Sequence, residues 1–169
     1  AQRRADAKAR GKLFGLGFAN YVESSTGSPR ERADIIVRPQ GVEVVIGTQP
    51  AGQGHETSFA QVTADLLGIP FEKVTITLGD TDIVSAGGGT HSGRSMRHAS
   101  TVIALGADDL VEKARRLAAR IFEVPPEQVT FDDGIFSAAS TNRAIDWFEL
   151  AAQAPQSGLA EFADGLKVR

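Results

Sequence analysis

Apolar residues along this chain fall into alternating and helical stretches, separated by turns rich in glycine and proline. Leu13 to Val22 is an almost continuous apolar run that reads as a buried strand, its glycines marking a bulge or the close approach of another backbone. Ala33 to Arg38 and Val42 to Thr48 are β-rich runs separated by Pro39-Gln40-Gly41, a hairpin signal, so they are expected to pair. Phe59, Val62, Leu66 and Leu67 carry the stripe of an amphipathic helix closed by Gly68. Val74, Ile76 and Leu78 then alternate as a strand. Met96, Ala99, Ile103, Leu110, Ala114, Leu117 and Ile121 keep helical spacing through roughly 27 residues, about 40 Å of helix, which Pro125-Pro126 stops. Val129 to Phe131 and Ile135-Phe136 flank Asp132-Asp133-Gly134, a tight-hairpin signature. Ile145 to Ala152 reads as a short amphipathic helix, and Leu159 to Arg169 is expected to hold one more strand.

One internal echo stands out. Ile69 to Ile76 matches Val124 to Phe131 in character at nearly every place, and each closes a helix and opens a strand. A shared helix-to-strand connection, with proline as the stop, explains this more simply than a duplicated unit. The pattern predicts an α+β fold, a two-layer arrangement in which helices pack on one face of a mixed β-sheet. Ala99, Ile103, Leu110, Leu117 and Ile121 of the long helix should face that sheet.

A length of 169 residues suits a single domain spanning 1–169, in which residues 1–12, with Arg3, Arg4, Lys8, Arg10 and Lys12, form a basic, helix-prone lead-in. A net charge of -3 argues against broad nucleic-acid binding. With no cysteine, the chain itself holds no disulfide, thiolate nucleophile or iron–sulfur cluster, so redox chemistry would have to come from a bound cofactor or another chain. No apolar run is long enough for a membrane span and the N-terminus lacks the core of a signal peptide, which makes a cytoplasmic protein the expectation.

Candidate chemistry concentrates in two glycine-rich stretches that each precede a helix. Gly87 to Met96 packs four glycines, three hydroxyls and Arg94 against the start of the long helix, and Gly52-Gln53-Gly54-His55-Glu56-Thr57 is a shorter version. Glycines admit a ligand close to the backbone, hydroxyls and free N–H groups donate to oxygens, and a helix N-terminus favours an anion. An isolated G-x-G is a common turn and a glycine-rich run is a common surface loop. Gln53, with donor and acceptor on one amide, and Arg94, with a planar fork suited to phosphate, favour a ligand of extended, anionic character. His55 and His91 sit inside these cradles, whereas His98 reads as structural. No third ligand accompanies them at metal-site spacing, so no metal-binding residue is expected. Asp80 and Asp82 read as turn-capping residues, with ribose binding or base chemistry as the alternative.

In order and spacing, Gly11 to Gly17, Gly47 to Thr57, Gly79 to Asp82 and Gly87 to Ser95 resemble the molybdenum-binding large subunit of the xanthine dehydrogenase, aldehyde oxidase and aerobic carbon monoxide dehydrogenase family. The likeness lies in the first half of that subunit's second cofactor-binding region and covers nearly the whole chain. The resemblance implies an oxidoreductase whose two cradles hold molybdopterin with molybdenum, in bacterial members commonly as the cytosine dinucleotide. By resemblance, Gln53 and Gly54 contact the pterin or its phosphate, and Thr90, Ser92, Arg94 and Ser95 the dinucleotide arm; His55, Thr57, Gly89 and Gly93, in the same two blocks, complete the expected cofactor-binding set. Gly93 stands where carbon monoxide dehydrogenases tend to show serine. The family's catalytic glutamate belongs to a Gly-Glu block absent from this chain, so no catalytic residue is expected here. The implied partners are the remainder of the large subunit, iron–sulfur and FAD-containing subunits or domains, and a small-molecule substrate. A noncatalytic phosphate- or nucleotide-binding accessory module is the alternative. Either way, Arg94 is expected to be solvent-exposed when the cofactor is absent and to matter little for stability.

Overall fold

The computed structural model of the chain describes residues 1–22, 30–84 and 86–169. After helix α1 (Gln2–Ala9), strands β1 (Ala33–Arg38) and β2 (Gly41–Ile46) form the expected hairpin, with Arg38 facing Gly41 across Pro39-Gln40. Strict alternation in both strands buries Ala33, Ile35, Val37, Val42, Val44 and Ile46 on one face. Helix α2 (His55–Leu67) crosses back to β3 (Val74–Leu78), which pairs with β2 in parallel, from Val42 opposite Val74 to Ile46 opposite Leu78. Helix α3 (Arg94–Phe122) runs 29 residues, and its buried row of Ala99, Ile103, Ala107, Leu110, Ala114 and Leu117 closes the core.

Strands β4 (Thr130–Asp132), β5 (Ile135–Ala138) and β6 (Arg143–Asp146) make a separate antiparallel sheet in the order β4-β5-β6. After helix α4 (Trp147–Gln153), strand β7 (Leu166–Val168) returns to pair with β1, so the main sheet runs β3-β2-β1-β7. α3 packs on β1 and β7 while α2 packs on β3 and on α3, which is the expected mixed sheet covered by helices on one face. The smaller sheet is fastened to the end of α2 by Trp147. This fully buried indole stands edge-on to Phe131 and Phe136, and its Nε1–H donates to the Leu67 carbonyl at 2.8 Å.

Four readings of the sequence need correction. Leu13 to Val22 forms no strand, and Leu13, Leu16, Phe18, Tyr21 and Val22 are exposed, because no other strand of the described residues supplies the backbone partners a strand requires. On α2 the buried rows are Phe59, Thr63, Leu67 and Ala60, Ala64, while Leu66 turns outward; Thr63 is accommodated because its hydroxyl donates to the Phe59 carbonyl at 2.8 Å. α3 ends at Phe122, before the prolines, because Glu123 adopts left-handed geometry. Ile145 lies in β6 rather than in a helix. Asp146 starts α4, its carboxylate accepting the Phe148 and Glu149 N–H groups at 2.9 and 2.8 Å. The echo is one connector used twice: Pro70 and Pro125 each lead into a 3-10 turn, Phe71–Lys73 and Pro126–Gln128, ahead of β3 and β4.

Candidate functional site

Because β2 and β3 are parallel, their carboxyl ends lie at the same edge of the sheet. The segments that follow, 47–54 and 79–93, lead into α2 and α3 from that edge, where open α/β units place their ligands. Each helix is entered through a left-handed glycine, Gly54 at φ 71° and Gly93 at φ 64°, and neither has a side-chain cap. The Thr57 and Arg94 N–H groups bond the Gly54 and His91 carbonyls, and the other N–H groups of each first turn are left to this edge without a capping side chain, as an anion requires.

The two loops are built against each other. A Cβ on Gly47 would lie 2.5 Å from Gly87 Cα, and one on Gly87 the same distance from Gly47 Cα, so only glycines allow this approach. Gly79 N–H donates to the Ile46 carbonyl at 3.3 Å. Below them runs a chain of hydroxyls: Thr48 Oγ1 to Ser95 Oγ at 2.5 Å, and Ser95 Oγ to Thr90 Oγ1 at 2.7 Å. Thr48 and Ser95 are buried and Thr90 half-buried. With Ser95 donating to Thr90, Thr48 must be the donor to Ser95, and the Thr90 proton remains available to an acceptor outside the chain.

The remaining predicted residues fall on this edge with differing degrees of engagement. Gln53 is exposed and its Oε1 accepts from Ala51 N–H at 2.6 Å, which orders the turn and leaves the amide nitrogen without a partner among the described residues. His55 is 7% exposed and stacks on Phe59 at 5.0 Å, yet its Nδ1 is buried with no hydrogen-bond partner. A buried ring nitrogen without a partner is the state a ligand contact would relieve. Thr57 and Gly89 are exposed. Ser92 has a left-handed φ of 53° and its hydroxyl meets His91 Nδ1 at 3.0 Å, so His91 braces the turn into α3. Asp80 accepts Asp82 N–H at 2.9 Å, as a turn-capping residue should. Among the described residues no three His, Asp or Glu side chains gather as a metal site.

Arg94 departs from expectation. Its side chain is fully buried and forms an ion pair with Glu31 at 3.0 Å, with side-chain exposures of 0% and 1%. It also donates to the Gly89 carbonyl at 3.2 Å and the Arg30 carbonyl at 2.8 Å. The guanidinium lies beneath the glycine loop and is not presented to solvent. The fork that suits phosphate suits a carboxylate equally, and a carboxylate of the chain itself has taken it. Glu31 was not singled out from the sequence, and nothing around it there marks it, since its partner lies 63 residues away.

Two uncapped helix ends, backbone donors and hydroxyls at the carboxyl edge of parallel strands form the kind of donor set that suits an anionic ligand. The molybdopterin cofactor-binding domain family matches residues 1–165, and the chain belongs to that family. It is 36% identical over 136 residues to the carbon monoxide dehydrogenase large chain of Hydrogenophaga pseudoflava, a match covering 73% of this chain and 17% of that protein. To the nicotine 6-hydroxylase large subunit of Paenarthrobacter nicotinovorans it is 32% identical, covering 80% of this chain and 18% of that one. Among solved structures, a Cu,Mo-CO dehydrogenase in its carbon monoxide reduced state superposes with a TM-score of 0.76 at 32% identity, covering 83% of this chain and 18% of that chain. The chain therefore spans less than a fifth of the length of these relatives. Among the described residues no helix is long and apolar enough to cross a membrane.

Proposed function

We propose that this chain is the part of a cytoplasmic molybdenum hydroxylase large subunit that holds molybdopterin, as its cytosine dinucleotide, across the two loops at the carboxyl edge of β2 and β3. The observation that carries the proposal is the convergence of those loops, locked by Gly47 against Gly87 and by the hydroxyl chain from Thr48 through Ser95 to Thr90. The donor set suits the group: uncapped N–H groups and hydroxyls for phosphate oxygens, the Gln53 amide for a heterocycle edge, and an unpartnered buried nitrogen on His55. Gln53, Gly54, His55 and Thr57 hold one end of the ligand. Gly89, Thr90, Ser92, Gly93 and Ser95 hold the other, with Arg94 supporting them from below. When bound, the cofactor supplies two-electron redox chemistry for hydroxylating a carbon centre or oxidising carbon monoxide, with water as the oxygen source. The catalytic glutamate, the substrate-facing loops and the iron–sulfur and FAD centres would come from the remainder of the subunit and from partner subunits or domains.

Two measurements test this. In the full-length subunit, acid hydrolysis should release one CMP per molybdenum; a different nucleotide, or none, refutes the dinucleotide assignment. Thr90→Val should remove a hydrogen bond to a charged group, about 1.5–3 kcal/mol, and lower molybdenum content about tenfold or more when cofactor is limiting. Full loading of that variant refutes the cradle. The 169-residue chain alone is expected to purify without molybdenum and without dye-reducing activity, since half the contacts to the cofactor would be missing.

A further inference from the structure

We infer that Glu31 is the positioning residue of the glycine loop: its buried carboxylate fixes the peptide planes of Gly87 to Thr90 so that the loop's donors face an oxyanion. The inference rests on the reading of this loop as the cofactor's anion-binding side.

The geometry runs through both carboxylate oxygens. Oε2 accepts from Arg94 Nη1 at 3.0 Å and from Gly88 N–H at 3.4 Å, and Oε1 accepts from Arg32 N–H at 3.3 Å. A Cβ on Gly47 would come within 2.8 Å of Oε1, so the carboxylate also lies against the end of β2. One buried side chain thereby ties together the entry to β1, the exit of β2, the glycine loop and the start of α3. Arg94, held by Glu31, in turn draws the Gly89 carbonyl inward at 3.2 Å.

Peptide planarity converts these contacts into an orientation. No peptide bond in the described residues is cis, so each carbonyl and the N–H of the next residue point in opposite directions. With the Gly89 carbonyl turned toward Arg94, the Thr90 N–H is directed away from it. The Thr90 hydroxyl has its own proton free, because Ser95 already donates to its oxygen. Thr90 therefore presents two donors from one residue. The Arg94 charge is neutralised by Glu31, so the oxyanion is held by aimed neutral donors and not by a net cation at this point.

The test uses the full-length subunit in its assembled complex, reading molybdenum per subunit beside thermal melting. Removing one partner of a buried ion pair destabilises a fold, whereas replacing both with apolar residues is often tolerated. The double variant Glu31→Leu with Arg94→Met strands no charge, so it is expected to fold and to melt above the single variant Arg94→Ala, and to lose molybdenum about tenfold, the lower range for loss of an outer-shell partner. Glu31→Asp keeps the charge but withdraws the carboxylate from Gly88; it should fold and also lose molybdenum severalfold. Full molybdenum in either folded variant overturns the inference and leaves Glu31 a structural residue only. Thr90→Val separates the two levels. If it too remains fully loaded, the reading of the loop has failed; if it loses molybdenum while the Glu31 variants do not, only the positioning role has failed.

Discussion

α2 and α3 end in the same backbone conformation, φ 60° and ψ 41°, but with different residues: Gly68 closes the first and Glu123 the second. Each cap N–H bonds the carbonyl four residues back, Ala64 or Ala119. The left-handed cap itself therefore tolerates a side chain. What demands glycine at 68 is the neighbour: a Cβ there would lie 2.4 Å from Gly134 N and 2.5 Å from the Asp133 carbonyl carbon, and these are backbone atoms that cannot rotate aside. Gly68→Ala should cost about 1–2 kcal/mol for the left-handed conformation and about 1–3 kcal/mol more for displacing the β4–β5 turn. At about 2–4 °C per kcal/mol for a domain of this size, melting should fall by about 4–20 °C. Gly158→Ala is the matched control, since it is left-handed at φ 74° with nothing within 4 Å of the added Cβ. It should show the conformational cost alone. Urea denaturation of the three proteins followed by circular dichroism measures the difference. If Gly68→Ala is no worse than Gly158→Ala, the close approach of α2 to the β4–β5 turn does not exist in solution.

Three further outcomes are expected. Leu117→Ala, at a fully buried position of α3, should cost about 2–5 kcal/mol in urea denaturation, and a change below about 0.5 kcal/mol would put this helix face in solvent. Arg94→Ala should lower stability by about 3–5 kcal/mol by stranding Glu31, and an unchanged melting point would return the guanidinium to the surface. Arg116 joins Glu161 at 2.9 Å, and this hydrogen bond holds the Glu161 carboxyl below its ordinary range. The stabilisation should be complete above about pH 4.3 and vanish as pH falls through the lowered value. Both side chains are more than a third exposed, so the effect should stay under about 1 kcal/mol and fade in high salt. A Glu161→Gln melting difference that persists in acid would contradict it.

What was legible in the sequence was local. The β-rich run Ala33 to Arg38 marked the strand, Gly68 marked the end of α2, and Asp133-Gly134 marked the β4–β5 turn, where both residues are left-handed. Each signal acts within a few residues, so the residue type alone carries it. Elements whose cause is distant were read wrongly. Leu13 to Val22 is apolar enough to be buried, but apolarity names no partner, and among the described residues it finds none. Ile145 has helical spacing to Phe148 and Ala152, but Asp146 caps the helix after it and pairing with β5 decides in favour of a strand.

The site divides along the same line. The two glycine loops were visible because close backbone approach needs glycine whatever approaches, and parallel β2 and β3 bring the loops to one edge. Arg94 was visible as a forked donor in an oxyanion-binding setting, and that chemistry is what the structure contains. A fork does not distinguish the oxygens of a ligand from those of a distant glutamate, and burial settles the choice. A guanidinium fully withdrawn from water needs a charge partner, and the chain supplies one itself. Glu31 meets that need from within the chain, so under the proposed function the ligand is left to the backbone N–H groups and the other polar side chains of the two loops.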